Sequence, residues 1–211
     1  AHVAGLLTGK AGILHLHLGD GERALELVRQ ALDTTELPPR VFNPTHVNRR
    51  KGLFEEALAL AARGCTVDVT AFPVTDGEDA WAADEAVARY LETGSPPEHI
   101  TVSSDGGGCL PVFDAQGELL HMDIGRPRAL LDALAGLLGR GIALDAALPA
   151  FTSNVARLLR LRQKGIIAVG SDADFVVLDE TTAAHSVMIG GRWHKLDGKL
   201  VVRPKLEEIQ G

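Results

Sequence analysis

Residues 12–32, GILHLHLGDGERALELVRQAL, hold the pattern that decides the fold. From Gly12 to His17 the run is almost continuously apolar, the signature of a strand buried on both faces. It stops at Gly19-Asp20, and from Glu22 onward the period changes. Leu25, Val28 and Leu32 then fall on one face of a helix. A strand followed at once by an amphipathic helix is one βα unit. The oddity inside it is a pair of imidazoles, His15 and His17, because a strand interior is a costly place for a polar ring without a partner.

The unit recurs. RVFNPT (40–45) reads as a strand and GLFEEALALAARG (52–64) as a helix closed by Gly64. CTVDVTA (65–71) is followed by AWAADEAVARYLETG (80–94), closed by Gly94. HITVSS (99–104) precedes PRALLDALAGLLGRG (127–141), with Pro127 in the first turn. Helix-separated strands imply a parallel sheet. Four such units make half of an eight-stranded TIM-like (β/α)8 barrel, which needs about 250 residues. TSNVARLLRL (152–161) is one more helix, with Thr152 or Ser153 as its cap. Beyond Gly165 the texture turns to short strands, with Gly190-Gly191 and Asp197-Gly198 as hairpin turns. The expected architecture is α/β: residues 1–165 as the C-terminal βα units of the barrel, and 166–211 as strands of a small β-sandwich.

Composition narrows the function. In 211 residues, 45% are hydrophobic and 23% charged, enough apolar material for a core and too little charge for disorder. A net charge of −7 argues against nucleic-acid or anionic-membrane partners. The most apolar stretch, 129–148, is broken by Asp132, Arg140 and Asp145, so it is not a membrane span. No secretory signal is visible. Two cysteines make no disulfide framework, which fits a reducing, cytoplasmic setting. The opening AHVAGLLTGKAG, without Met, reads as the end of a helix running into a loop, as at an internal cut.

Placed on this map, His17 ends the first strand, His46 the second and Asp105 the fourth. All lie at carboxyl ends of parallel strands, where α/β barrels build their sites. Imidazole and carboxylate suit a divalent ion such as zinc, and a curved sheet would bring the three together. A carboxylate beside such an ion can also move a proton. His15 points to the same side as His17 but deeper. His2, His99, His121, His185 and His194 read as structural or surface residues. Gly106-Gly107-Gly108 follows Asp105 but opens no helix, so a dinucleotide loop is a poor reading. Gly106 instead lets backbone come close to a substrate. Arg49, three residues past His46, suits either a substrate carboxylate or solvent. Cys109 has no base partner that would make it a nucleophile.

HLHLGD, NPTHVNR and TVSSDGGGCLP, in that order, resemble the second half of the isoaspartyl (β-aspartyl) dipeptidases of the amidohydrolase superfamily. The tail KGIIAVGSDADFVVLD resembles the segment by which amidohydrolases leave the barrel and return to their β-sandwich. The resemblance implies a metallohydrolase barrel with binuclear zinc that cleaves β-aspartyl dipeptides by a metal-bridging hydroxide. It assigns His17 and His46 to the second metal, and Asp105 to the first and to general acid/base work. Arg49 would grip a substrate carboxylate, and Cys109 stands where some relatives place a serine near the substrate. It also implies cytoplasmic homo-oligomers.

The family's first-strand H-x-H pair and its bridging carboxylated lysine have no counterpart here, since HLHLGD belongs to a later strand and Lys10 falls in a loop. The chain is thus expected to start after the fourth strand and to be a poor catalyst alone. A cyclic-amide hydrolase of the dihydroorotase or hydantoinase kind would use the same rim. A non-catalytic half-barrel that assembles through an open edge is a further alternative.

Overall fold

The computed structural model describes residues 1–113, 116 and 118–202. A short helix, α1 (His2–Thr8), ends at Gly9, whose left-handed φ of 68° closes it. β1 (Leu14–His17) runs parallel to β2 (Phe42–Thr45), with Leu14 opposite Phe42 and His17 opposite Thr45. β3 (Val67–Thr70) is likewise parallel to β4 (Ile100–Ser103), with Thr70 opposite Ser103. The crossovers carry α2 (Glu26–Thr34), α3 (Lys51–Ala62) and α4 (Ala83–Glu92). Side chains tie β2 to β3: Asn43 Nδ2 donates to Thr66 O at 2.8 Å, and Thr45 Oγ1 to Asp68 Oδ2 at 2.6 Å. This arrangement sets the four strand ends in a row.

The core lies between these strands and their helices. Leu53, Phe54, Ala57, Leu60 and Ala61 of α3 pack with Val67 and Val69 of β3, Ile100 and Val102 of β4, and Val87 and Tyr90 of α4. Helix α5 (Ala129–Gly139) adds Leu134 and Leu137. Gly64 and Gly94 sit just past α3 and α4 with φ of 101° and 71°. Both end a helix as the sequence predicts, because glycine takes that conformation without a Cβ clash.

After β4 comes an antiparallel hairpin, β5 (Cys109–Phe113) with β6 (Leu119–Ile124), Cys109 opposite Ile124. Two short helices, α6 (Leu144–Ala147) and α7 (Ser153–Leu158), follow α5. The last sheet is antiparallel, ordered β10-β9-β8-β7, from β7 (Phe175–Leu178), β8 (Ala184–Ile189), β9 (Arg192–Leu196) and β10 (Lys199–Leu200). Gly190-Gly191 and Asp197-Gly198 make two of its turns, all four residues with positive φ.

Three local expectations change. β1 is not buried on both faces: Leu14 is 43% exposed, and only Leu16 packs on the core. Among the described residues β1 has a ladder partner on one side only, β2. The β5–β6 hairpin separates β4 from α5, where the sequence predicts no more than an extended stretch. Thr152 does stand at the cap of α7, but its hydroxyl turns back to Leu148 O at 2.9 Å and caps nothing.

Candidate functional site

His17 is the last residue of β1, and His46 follows β2 directly. His46 has a left-handed backbone, φ 64° and ψ 27°, which turns its side chain back across the strand ends. The result is a close pair, with His17 Nδ1 and His46 Nε2 3.0 Å apart. Two nitrogens each about 2.0–2.1 Å from a tetrahedral zinc ion stand about 3.3 Å from one another. The imidazole pair is therefore spaced nearly as one edge of such a site.

Other side chains fix both rings. His46 Nδ1 meets Thr70 Oγ1 at 2.8 Å. His15 lies edge-on to His17, with ring centroids 4.9 Å apart, and its Nδ1 is held by Asn43 Oδ1 at 2.6 Å. His15 thus shares a side with His17, as the strand period requires, and is tied to Asn43. Burial pushes the His46 imidazole below its ordinary range. The Asp105 charge opposes that shift, while His17, Arg49 and His15 add to it.

Asp105 lies two residues beyond β4 with φ 46°, in a tight turn where Gly108 N donates to Asp105 O at 2.8 Å. Its charge reaches His46. Even so, no three His, Cys, Asp or Glu among the described residues form a group that could hold an ion. The structure brings the two imidazoles together, and Asp105 completes no such group with them. A Cβ on Gly108 would stand 2.7 Å from Asp105 Cγ. Gly125 packs on the same residue as closely, since a Cβ there would overlap the Asp105 carbonyl. At Gly106 a Cβ would meet Pro127 Cγ at 3.0 Å and Ser104 Oγ at 3.1 Å, so that face is already filled. Cys109 is an exposed free thiol at the start of β5.

Arg49 ends the 3-10 turn after His46. Its Nε and Nη2 clasp the two carboxylate oxygens of Asp20, each at 2.8 Å, and Nη1 donates to Leu18 O at 2.7 Å. The fork is engaged in the bidentate geometry that a ligand carboxylate would use. Asp20 is exposed, and an exposed pair is worth only about 0–1 kcal/mol, so a competing carboxylate could displace it at small cost.

Beneath the imidazole pair lies a carboxylate that the strand-end pattern does not single out. Asp68, at the centre of β3, is 4% exposed. It accepts from Thr45 Oγ1, Thr101 Oγ1 and Ser103 Oγ, each at 2.6 Å. Burial pushes its carboxyl up, and the hydroxyls of Ser103, Thr101 and Thr45 pull it back, helped by the field of His15. The signal was available as a lone carboxylate in Val67-Asp68-Val69, an anomaly of the same kind as the strand histidines. Asn48, fully buried, donates to Thr70 O and Trp81 O and accepts from Thr70 N.

Residues 13–194 match the Amidohydrolase family. The β-aspartyl dipeptidase of the keratin-degrading thermophile Fervidobacterium islandicum AW-1, in complex with the β-Asp-Leu dipeptide, is 35% identical. The match covers 96% of this chain and 53% of that one, with a TM-score of 0.85. A second structure of that enzyme gives 33% identity and a TM-score of 0.82 over 97% of this chain and 51% of that one. An adenosine deaminase from Xanthomonas campestris with bound zinc shares the fold at 19% identity, over 92% of this chain and 48% of that one, with a TM-score of 0.54. The chain belongs to the amidohydrolase family, and within it is similar to the β-aspartyl dipeptidases. It spans about half the length of those structures.

Proposed function

We propose that this chain supplies His17, His46 and Asp105 to the rim of a zinc-dependent hydrolase of β-aspartyl dipeptides. The observation that carries this reading is the imidazole pair at successive strand ends, with nitrogens 3.0 Å apart and Asp105 acting on the same ring. Likeness to an enzyme solved with β-Asp-Leu supports the substrate class. His17 and His46 would hold one ion, and Asp105 would serve a second. Bound zinc would supply Lewis acidity toward the scissile carbonyl.

The chain's own residues do the rest. Asp105 takes the proton of the attacking water and returns it to the amide nitrogen, so the C–N bond breaks to release an amine. Arg49 orients the substrate by a carboxylate that replaces Asp20 in its fork. Gly106 and Cys109, which follow Asp105 closely in the chain, would contact the substrate.

Calorimetric titration of the chain with zinc chloride tests the metal reading. Weak binding through the imidazole pair alone is expected in the parent, with at least a tenfold loss in His17→Ala and His46→Ala. A parent that binds no zinc, or variants that bind it equally well, would refute it. In the complete protein, β-Asp-Leu should be cleaved in preference to a cyclic imide, with Asp105→Asn lowering kcat by about 10²–10⁴. The opposite preference would point to a cyclic-amide hydrolase.

A further inference from the structure

Below the imidazole pair, the buried hydroxyls form a chain whose protons can be counted. Asp68 accepts three hydroxyl bonds of 2.6 Å, the length of bonds from a hydroxyl to a charged carboxylate. An ionised carboxylate only accepts, and each hydroxyl has a single proton. Thr45, Thr101 and Ser103 have therefore all given their protons to Asp68. Thr70 Oγ1 comes next, 3.3 Å from Ser103 Oγ, 3.5 Å from Thr45 Oγ1 and 2.8 Å from His46 Nδ1. Neither Ser103 nor Thr45 has a proton left for Thr70, so Thr70 donates toward them and its oxygen is left to accept. The donor 2.8 Å away is then His46 Nδ1–H. In the opposite arrangement, with Thr70 donating to Nδ1, the oxygens of Thr70 and Ser103 would face each other with no proton between them.

We propose that Asp68, acting through Ser103, Thr45 and Thr70, is a positioning residue that keeps the His46 proton on Nδ1 and presents a bare Nε2 toward His17. A metal-binding histidine commonly donates its second ring N–H to a carboxylate or carbonyl, which fixes the tautomer. Here the carboxylate does so at one remove, through hydroxyls on β3 and β4. Asp68 touches no reacting atom, so its effect is on ring orientation and lone-pair direction. The purpose of the device rests on the metal reading above, but the tautomer does not.

The test is a long-range ¹H–¹⁵N spectrum of the metal-free chain labelled with ¹⁵N-histidine, followed by zinc titration. The parent is expected to show His46 as the Nδ1–H tautomer at neutral pH. Thr70→Val and Asp68→Asn, close to their parents in shape, should move the proton toward Nε2 and weaken zinc binding about 10- to 100-fold. Thr101→Val removes a bond to the same carboxylate but lies off the path, and should leave both readouts at parental values. His46 protonated on Nε2 in the parent overturns the proposal without any variant. Equal damage from Thr101→Val and Thr70→Val also overturns it, since the effect would then be general to the buried network. An Nδ1–H parent that binds no zinc would support the tautomer assignment and refute the metal reading.

Discussion

His46 concentrates the physics of the site in one residue. A left-handed backbone costs a non-glycine residue on the order of 1–3 kcal/mol, and at His46 it is held in place by its neighbours. Its carbonyl accepts Arg49 N at 3.1 Å, and Asn48 staples the following turn to the end of β3 and to Trp81 O. Asn48→Ala would leave the amide and carbonyl of Thr70 and the carbonyl of Trp81 without that partner. A loss of about 2–4 kcal/mol in urea unfolding is expected, and a loss under 1 kcal/mol would refute the staple. At Asp105, Gly108→Ala must push the carboxylate aside, so kcat in the complete protein should fall about tenfold or more. Gly139→Ala, where the space is open, should leave kcat unchanged. In the sequence His17, His46 and Asp105 stood out as polar residues at strand ends. Asp20 and Asp68 were as visible, but their partners are set by contacts between strands distant in the chain.

At the scale of elements, the βα units were legible because helix period and glycine stops are local properties. Helix α3 shows what that pattern stabilises. Leu53, Phe54, Ala57, Leu60 and Ala61 all lie in the core, and Phe54→Ala should cost about 3–5 kcal/mol. On the β5–β6 hairpin, by contrast, Leu119, Leu120, Met122 and Ile124 are all exposed. Leu120→Ala should change stability by no more than about 0.5 kcal/mol in the same denaturation experiment. An apolar run that buries nothing has no period to read, which is why this hairpin escaped the sequence. β1 was misjudged for a related reason. Its composition is that of a strand covered on both sides, whereas its exposure depends on which neighbours flank it.

Over the whole molecule, protons link the site to stability. His46 titrates below its ordinary 6.5 because burial disfavours its charged form. Between that lowered value and 6.5 the unfolded chain binds more protons than the folded one, so stability is lost as pH falls through this window. Asp68, shifted up, acts in the opposite sense as pH rises above 3.8. The His46 contribution should therefore raise unfolding midpoints as pH climbs toward 6.5, and His46→Asn should remove that part of the slope; an unchanged slope would refute the assignment. No helix among the described residues is long and apolar enough to cross a membrane. By itself the sequence determined the alternation of strands and helices, their glycine stops, and the placing of two histidines and an aspartate at strand ends, since each follows from local period and side-chain type. Only the tertiary structure decided that the two imidazoles face each other while Asp105 completes no ion-holding group with them, that Arg49 already holds a carboxylate, and that Asp68 anchors the hydroxyls beneath them. Those outcomes depend on strand register and on a left-handed turn, which bring together residues far apart in the chain.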